Sequence, residues 1–140
     1  MQRVFLDANV LFTAAHNPHG KAALLMQLAA ANSLKLFTSA YAREEAERNI
    51  SAKYPGSLTG FKHLIKSITV VPVTNPPADY PENLPAKDAP IFAAAVYCRA
   101  THLLTGDIKH FGPLMNNPNL CGGMIVQTVA EFLMSILACS

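Results

Sequence analysis

The chain has 140 residues, 51% of them hydrophobic, which suffices for one domain with a true core and excludes disorder as the main state. Eleven Lys and Arg against nine Asp and Glu leave a formal charge of +2, too mild to mark a nucleic-acid binder by bulk charge. With acids this scarce, their placement along the chain carries the information.

Short apolar runs alternate with helix-forming stretches, the pattern of a parallel sheet covered by helices on both faces. The first strand is expected at Val4 to Leu6, ending on Asp7 and Asn9. His16 and His19 fall in the loop that follows the first strand-helix step. A helix is expected over Lys21 to Ala31, a strand over Leu34 to Thr38 and a charged helix over Ala40 to Lys53. The third strand is expected at Ile68 to Val73. Prolines from Thr74 to Pro85 then make a surface loop, since proline lacks the N–H that a helix interior or central strand requires. A helix over Ile91 to Ala100 leads to the fourth strand, His102 to Thr105, which ends on Asp107. A loop through Asn116-Asn117-Pro118 and Gly122-Gly123 precedes the last strand, Met124 to Gln127. Thr128 with Glu131 three residues on forms a capping box for a helix over Val129 to Ala138. One α/β domain, residues 1–140, accounts for the chain.

The cysteines at 98, 121 and 139 show no zinc-ligand spacing. Neither a signal-peptide apolar region nor a membrane-length run is present in the sequence. These features read as a soluble protein of a reducing compartment, the cytoplasm. No nucleophile-elbow, phosphate-loop or dinucleotide fingerprint occurs.

In open α/β sheets a site forms beyond the carboxyl ends of the strands, where the strand order reverses. Asp7 and Asp107 both end strands, and they share a cleft if those strands are neighbours. Asp88 opens the helix that feeds the fourth strand, with Pro90 in its first turn governing how the carboxylate is presented. On the helix after the second strand, Glu44 and Glu45 both qualify as a fourth acid. Helical phase favours Glu45, beside the inward stripe of Ala42, Ala46 and Ile50, whereas Glu44 points nearly opposite, toward Arg48. Each Asp taken singly is also explained as a helix N-cap. Capping does not explain convergence: four carboxylates in one cleft repel one another unless a cation compensates them. All-oxygen ligation points to Mg²⁺ or Mn²⁺, and such ions serve phosphodiester hydrolysis. Lys87, Lys109, His110 and Arg43 are candidate phosphate contacts, with solvated surface cations the blander reading.

The ordered segments Val4-Phe5-Leu6-Asp7-Ala8-Asn9-Val10, Thr38-Ser39 with Glu44-Glu45, Asp88 before an Ala-rich helix, and Leu104-Thr105-Gly106-Asp107 resemble the acidic motifs of PIN-domain ribonucleases. The tail from Ile125 to Leu133 is similar to that family's closing strand and helix, so the resemblance spans the chain. It implies a three-layer α/β/α sandwich with a central parallel sheet of about five strands. It further implies an Mg²⁺- or Mn²⁺-dependent endoribonuclease using Asp7, Glu45, Asp88 and Asp107 as metal-binding catalytic acids, with Asn9 and Thr105 in support. Many members are toxins of the VapC type, paired with an antitoxin protein, and many form homodimers. Two other readings stay open: a PIN-fold binding module without catalysis, and a structure-specific DNA nuclease.

Overall fold

Val4, Phe5 and Leu6 are all fully buried, and an unbroken apolar run of this kind suits a strand covered on both faces. In the structure, a computed structural model that describes residues 1–72, 81 and 84–138, they belong to β1 (Gln2–Leu6), the central strand of a five-stranded sheet. Its partners are β2 (Leu34–Ser39), β3 (Thr69–Val71), β4 (His102–Leu104) and β5 (Ile125–Gln127), in the order β3-β2-β1-β4-β5. Every pairing is parallel.

The chain steps outward from β1 through β2 to β3, then crosses back to add β4 and β5 on the other side of β1. Right-handed crossovers therefore send the helices before and after this reversal to opposite faces, giving three layers. The helices α1 (Ala8–His16), α2 (Lys21–Ala30), α3 (Ala40–Lys53) and α4 (Leu58–Ile65) come before it, and α1 packs against the other three. After it come α5 (Ala89–Tyr97), the single turn α6 (Ile108–Phe111) and α7 (Val129–Ala138), which returns to pack against α2. Among the described residues no helix is long and apolar enough to cross a membrane.

Local chemistry sets the boundaries. Ser39 ends β2 and caps α3, its hydroxyl accepting the Ala42 N–H at 3.1 Å. The capping box forms reciprocally: Thr128 Oγ1 accepts the Glu131 N–H at 3.1 Å, and Glu131 Oε1 accepts the Thr128 N–H at 3.0 Å. Gly122 and Gly123 turn the chain into β5 at φ of 62° and 95°, where a side chain would be strained.

The expected strands all form, with β3 ending before Pro72, which offers no N–H to the sheet. The sequence reading differs from the structure in three helical segments. His16 is the last residue of α1 rather than a loop residue, and its ring packs against Phe12 and Tyr54 at 4.9 and 4.6 Å. The helix α4 goes unread because Pro55-Gly56 and Gly60 look like turn signals. The turn α6 is too short for its periodicity to show. Most of the expected loop from Thr74 to Pro85, and Cys139, lie outside the described residues. Cys98 and Cys121 are free and buried.

Candidate active site

Leu6 pairs with Leu104 across β1 and β4, so the residues after these strands meet at the point where the strand order reverses. Asp7 caps α1 from there and is only 4% exposed. Its Oδ1 accepts the Ala8 N–H at 2.7 Å, and its Oδ2 accepts the Thr105 hydroxyl at 2.7 Å and the Asn9 amide at 3.3 Å. Asn9 in turn accepts the Gly106 N–H at 2.7 Å, and Thr105 Oγ1 accepts the Asp107 N–H at 3.0 Å. A Cβ on residue 106 would stand 3.3 Å from the Asn9 oxygen, a tight contact that would press on this hydrogen bond. Asn9 and Thr105 thus tie the two strand ends together and fix the Asp7 carboxylate.

The four expected acids line one cleft of about 240 Å³ together with Asn9, Asn49, Lys53 and Lys87. Glu45 reaches it from α3. Glu44 is exposed and lines a separate depression on the outer face with Glu47 and Arg48. The Tyr41 hydroxyl donates to the Lys87 carbonyl at 3.0 Å, joining α3 to the segment that presents Asp88.

The acids differ in charge environment. Burial pushes the Asp7 carboxyl up to about 6; hydrogen bonds from Thr105 and Ala8 oppose this, while the charges of Glu45 and Asp88 add to it. Asp88 is raised chiefly by burial and then by the Asp107 charge, against His110 and Lys87. For Asp107 burial acts upward, but hydrogen bonds from the His110 side chain and backbone outweigh it and hold the carboxyl below its usual value.

Asp88 separates capping from the alternative. It stands at the N-cap of α5 but makes no side-chain cap bond. Pro90, the second residue of α5, lacks the N–H that would draw the carboxylate back onto the helix. Among the described residues Oδ2 of Asp88 is buried without a hydrogen bond, an arrangement that costs free energy unless something else binds there. Donor atoms of Asp88, Asp107 and His110 all lie within 4.8 Å of one another. A buried carboxylate oxygen without a donor, among acids that raise one another's protonation, fits a hard divalent cation.

The structure revises the surrounding cations. Lys87 lines the cleft as a rim cation, but Lys109 is exposed and does not line it. Lys53, unread in the sequence, lines it with Asn49 and Glu45. The spacing 45, 49, 53 is one helical stripe, and this signal was available. The His110 ring turns to Asp107, with Nδ1 2.7 Å from Oδ2.

The PIN domain family model matches residues 3–109, a span that contains all four acids. No curated protein is similar in sequence at a significant level. Among solved structures, VapBC2 from Rickettsia felis bound to a promoter DNA fragment is similar with a TM-score of 0.63 at 17% identity, covering 91% of this chain and 98% of that one. VapBC-1 from nontypeable Haemophilus influenzae gives a TM-score of 0.54 at 14% identity, over 92% and 99% of the two chains. The Mycobacterium tuberculosis toxin VapC20, which cleaves the sarcin-ricin loop, gives 0.55 at 17%, over 78% and 95%. At these identities the likeness shows the fold, and with the match over residues 3–109 the chain belongs to the PIN domain family.

Proposed function

We propose that this chain is a divalent-metal-dependent endoribonuclease, the toxin of a toxin–antitoxin pair, acting in the cytoplasm as a single catalytic domain. The observation that carries the reading is the convergence of Asp7, Glu45, Asp88 and Asp107 on one cleft, with a buried Asp88 oxygen that accepts no hydrogen bond from the described residues. RNA as substrate and an antitoxin as partner are supported by the similar toxin that cleaves the sarcin-ricin loop and by the similar VapBC assemblies. A homodimer is expected from the resemblance to this family.

In this reading Asp7, Glu45, Asp88 and Asp107 hold Mg²⁺ or Mn²⁺. When bound, such an ion would supply positive charge for the scissile phosphate and lower the pKa of a water toward neutrality. Thr105 and Asn9 keep the Asp7 carboxylate from rotating away. Lys53 and Lys87, at the margin of the cleft, offset the charge of flanking phosphates. Tyr41 holds the Asp88 segment against α3.

The test is cleavage of labelled single-stranded and structured RNAs, with matching DNAs, in Mg²⁺, Mn²⁺ or EDTA. Metal-dependent RNA cleavage that disappears in Asp107→Asn is expected. Cleavage of DNA alone would move the assignment to a DNA nuclease, and a folded protein that cleaves nothing and binds no Mn²⁺ would make it a binding module.

A comparison of the adjacent glutamates checks the second acid. Glu45→Gln is expected to lower cleavage on the order of 100-fold, because it removes a charge facing the cation. Glu44→Gln, on the outer surface, should change it by less than about twofold. The reverse ranking in initial rates would reassign the residue.

A further inference from the structure

Both oxygens of the Asp107 carboxylate accept hydrogen bonds from one residue. The His110 backbone N–H reaches Oδ1 at 3.1 Å, and ring Nδ1 lies 2.7 Å from Oδ2. An ionised carboxylate only accepts, so Nδ1 carries the proton that it shares with Asp107. The same nitrogen stands 3.5 Å from Oδ2 of Asp88, the buried oxygen without a hydrogen bond. The imidazole is itself held in place. It belongs to the one-turn α6, which the fully buried Phe111 anchors to the core.

We propose that His110 is a positioning residue of the acidic cleft, its two N–H groups clamping the Asp107 carboxylate beside Asp88. The inference rests on the reading of the cleft as a divalent-cation site. Asp107 is the more exposed of the two aspartates, with 23% of its side chain accessible against 11% for Asp88. Repulsion from Asp88 would swing an untethered carboxylate toward solvent. The clamp opposes that rotation and uses one lone pair on each oxygen, leaving the others for a cation. Hydrogen-bond partners of ligating carboxylates commonly act in this way, and their loss weakens metal binding. His110 therefore works through Asp107, with its Nδ1 proton already committed.

Three substitutions separate the clamp from other roles. His110→Asn keeps an N–H donor on the atom bonded to Cγ, the position Nδ1 occupies. His110→Phe keeps a ring without a donor, and His110→Ala keeps neither. Mn²⁺ binding is measured by calorimetry and by electron paramagnetic resonance, with circular dichroism to confirm folding. The expected result is a loss of about 10- to 100-fold in Mn²⁺ affinity for His110→Phe and His110→Ala, with His110→Asn within about threefold of the parent protein. Long-range proton–nitrogen spectra of the metal-free protein should place the imidazole proton on Nδ1.

Unchanged affinity in His110→Phe would overturn the clamp while leaving the cation site intact. Equal loss in His110→Asn and His110→Phe, with ¹⁴N coupling to Mn²⁺ in the parent protein, would overturn it by making the imidazole a ligand. A parent protein that binds no Mn²⁺ would remove the cation site itself, and the clamp's purpose with it.

Discussion

Asp7→Asn is expected to make the metal-free protein more stable while abolishing cleavage. Asp7 is 4% exposed, and its carboxyl is raised from 3.8 to about 6. The folded state therefore holds this proton more tightly than the unfolded chain does. The stability contributed by Asp7 is fully present below 3.8 and is lost as pH rises through the window up to about 6. Across that window the loss amounts to about 3 kcal/mol. Asparagine has the same shape, still accepts the Ala8 N–H and carries no charge to desolvate. Its Nδ2 cannot accept from the Thr105 hydroxyl or the Asn9 amide, which both donate to Oδ2 in the parent, so a smaller net gain of about 1 kcal/mol above pH 7 is expected. Urea unfolding in EDTA from pH 4 to pH 8 measures it. The parent midpoint should fall across the window and the variant's should fall much less. A variant less stable than its parent at pH 8 would show that the ionised carboxylate is well accommodated without a cation.

Asp7 is a residue whose position is legible in the sequence alone. Asp7 and Asp107 each follow a short apolar run, and in a parallel sheet the carboxyl ends of such runs form one rim. What the sequence left conditional was adjacency, and the pairing of Leu6 with Leu104 supplies it. Helical phase was enough to separate Glu45 from Glu44, because fourteen residues of unbroken α3 preserve the periodicity from Ser39 onward.

Short elements were not legible for the converse reason. One turn of α6 offers no period to count, so Lys109-His110 reads in the sequence only as cations near the site, for phosphate or simply solvated. Only the N-cap relation between Asp107 and His110, three residues apart, reveals that the imidazole folds back. In α4, the local signals of Gly60 and the preceding Pro55-Gly56 oppose a helix, and packing against α1 prevails. Pro90 was legible as a helix-start residue, but its effect on Asp88 required seeing that no cap bond forms.

Mn²⁺ is expected to reverse the order of stability between the parent protein and Asp7→Asn. In EDTA at pH 7.5 the parent carries the cost of its ionised Asp7, next to the charges of Glu45 and Asp88. A cation that binds the folded state alone adds about 2.7 kcal/mol at a concentration 100 times its dissociation constant. That is comparable to the deficit from Asp7, and the variant, having lost a ligand, gains little. The two effects share one cause, since a carboxylate stripped of water by burial, with the charges of Glu45 and Asp88 nearby, is costly in the free protein and well placed to hold the ion. Binding must then expel the Asp7 proton wherever it is still present. Calorimetry in buffers of different ionisation enthalpy should show proton release at pH 5 that declines as pH passes about 6, with apparent affinity rising over the same range. The raised carboxyl of Asp88 adds to this release in the same direction. Affinity independent of pH between 5 and 7 in the parent protein would remove Asp7 from the ligand set.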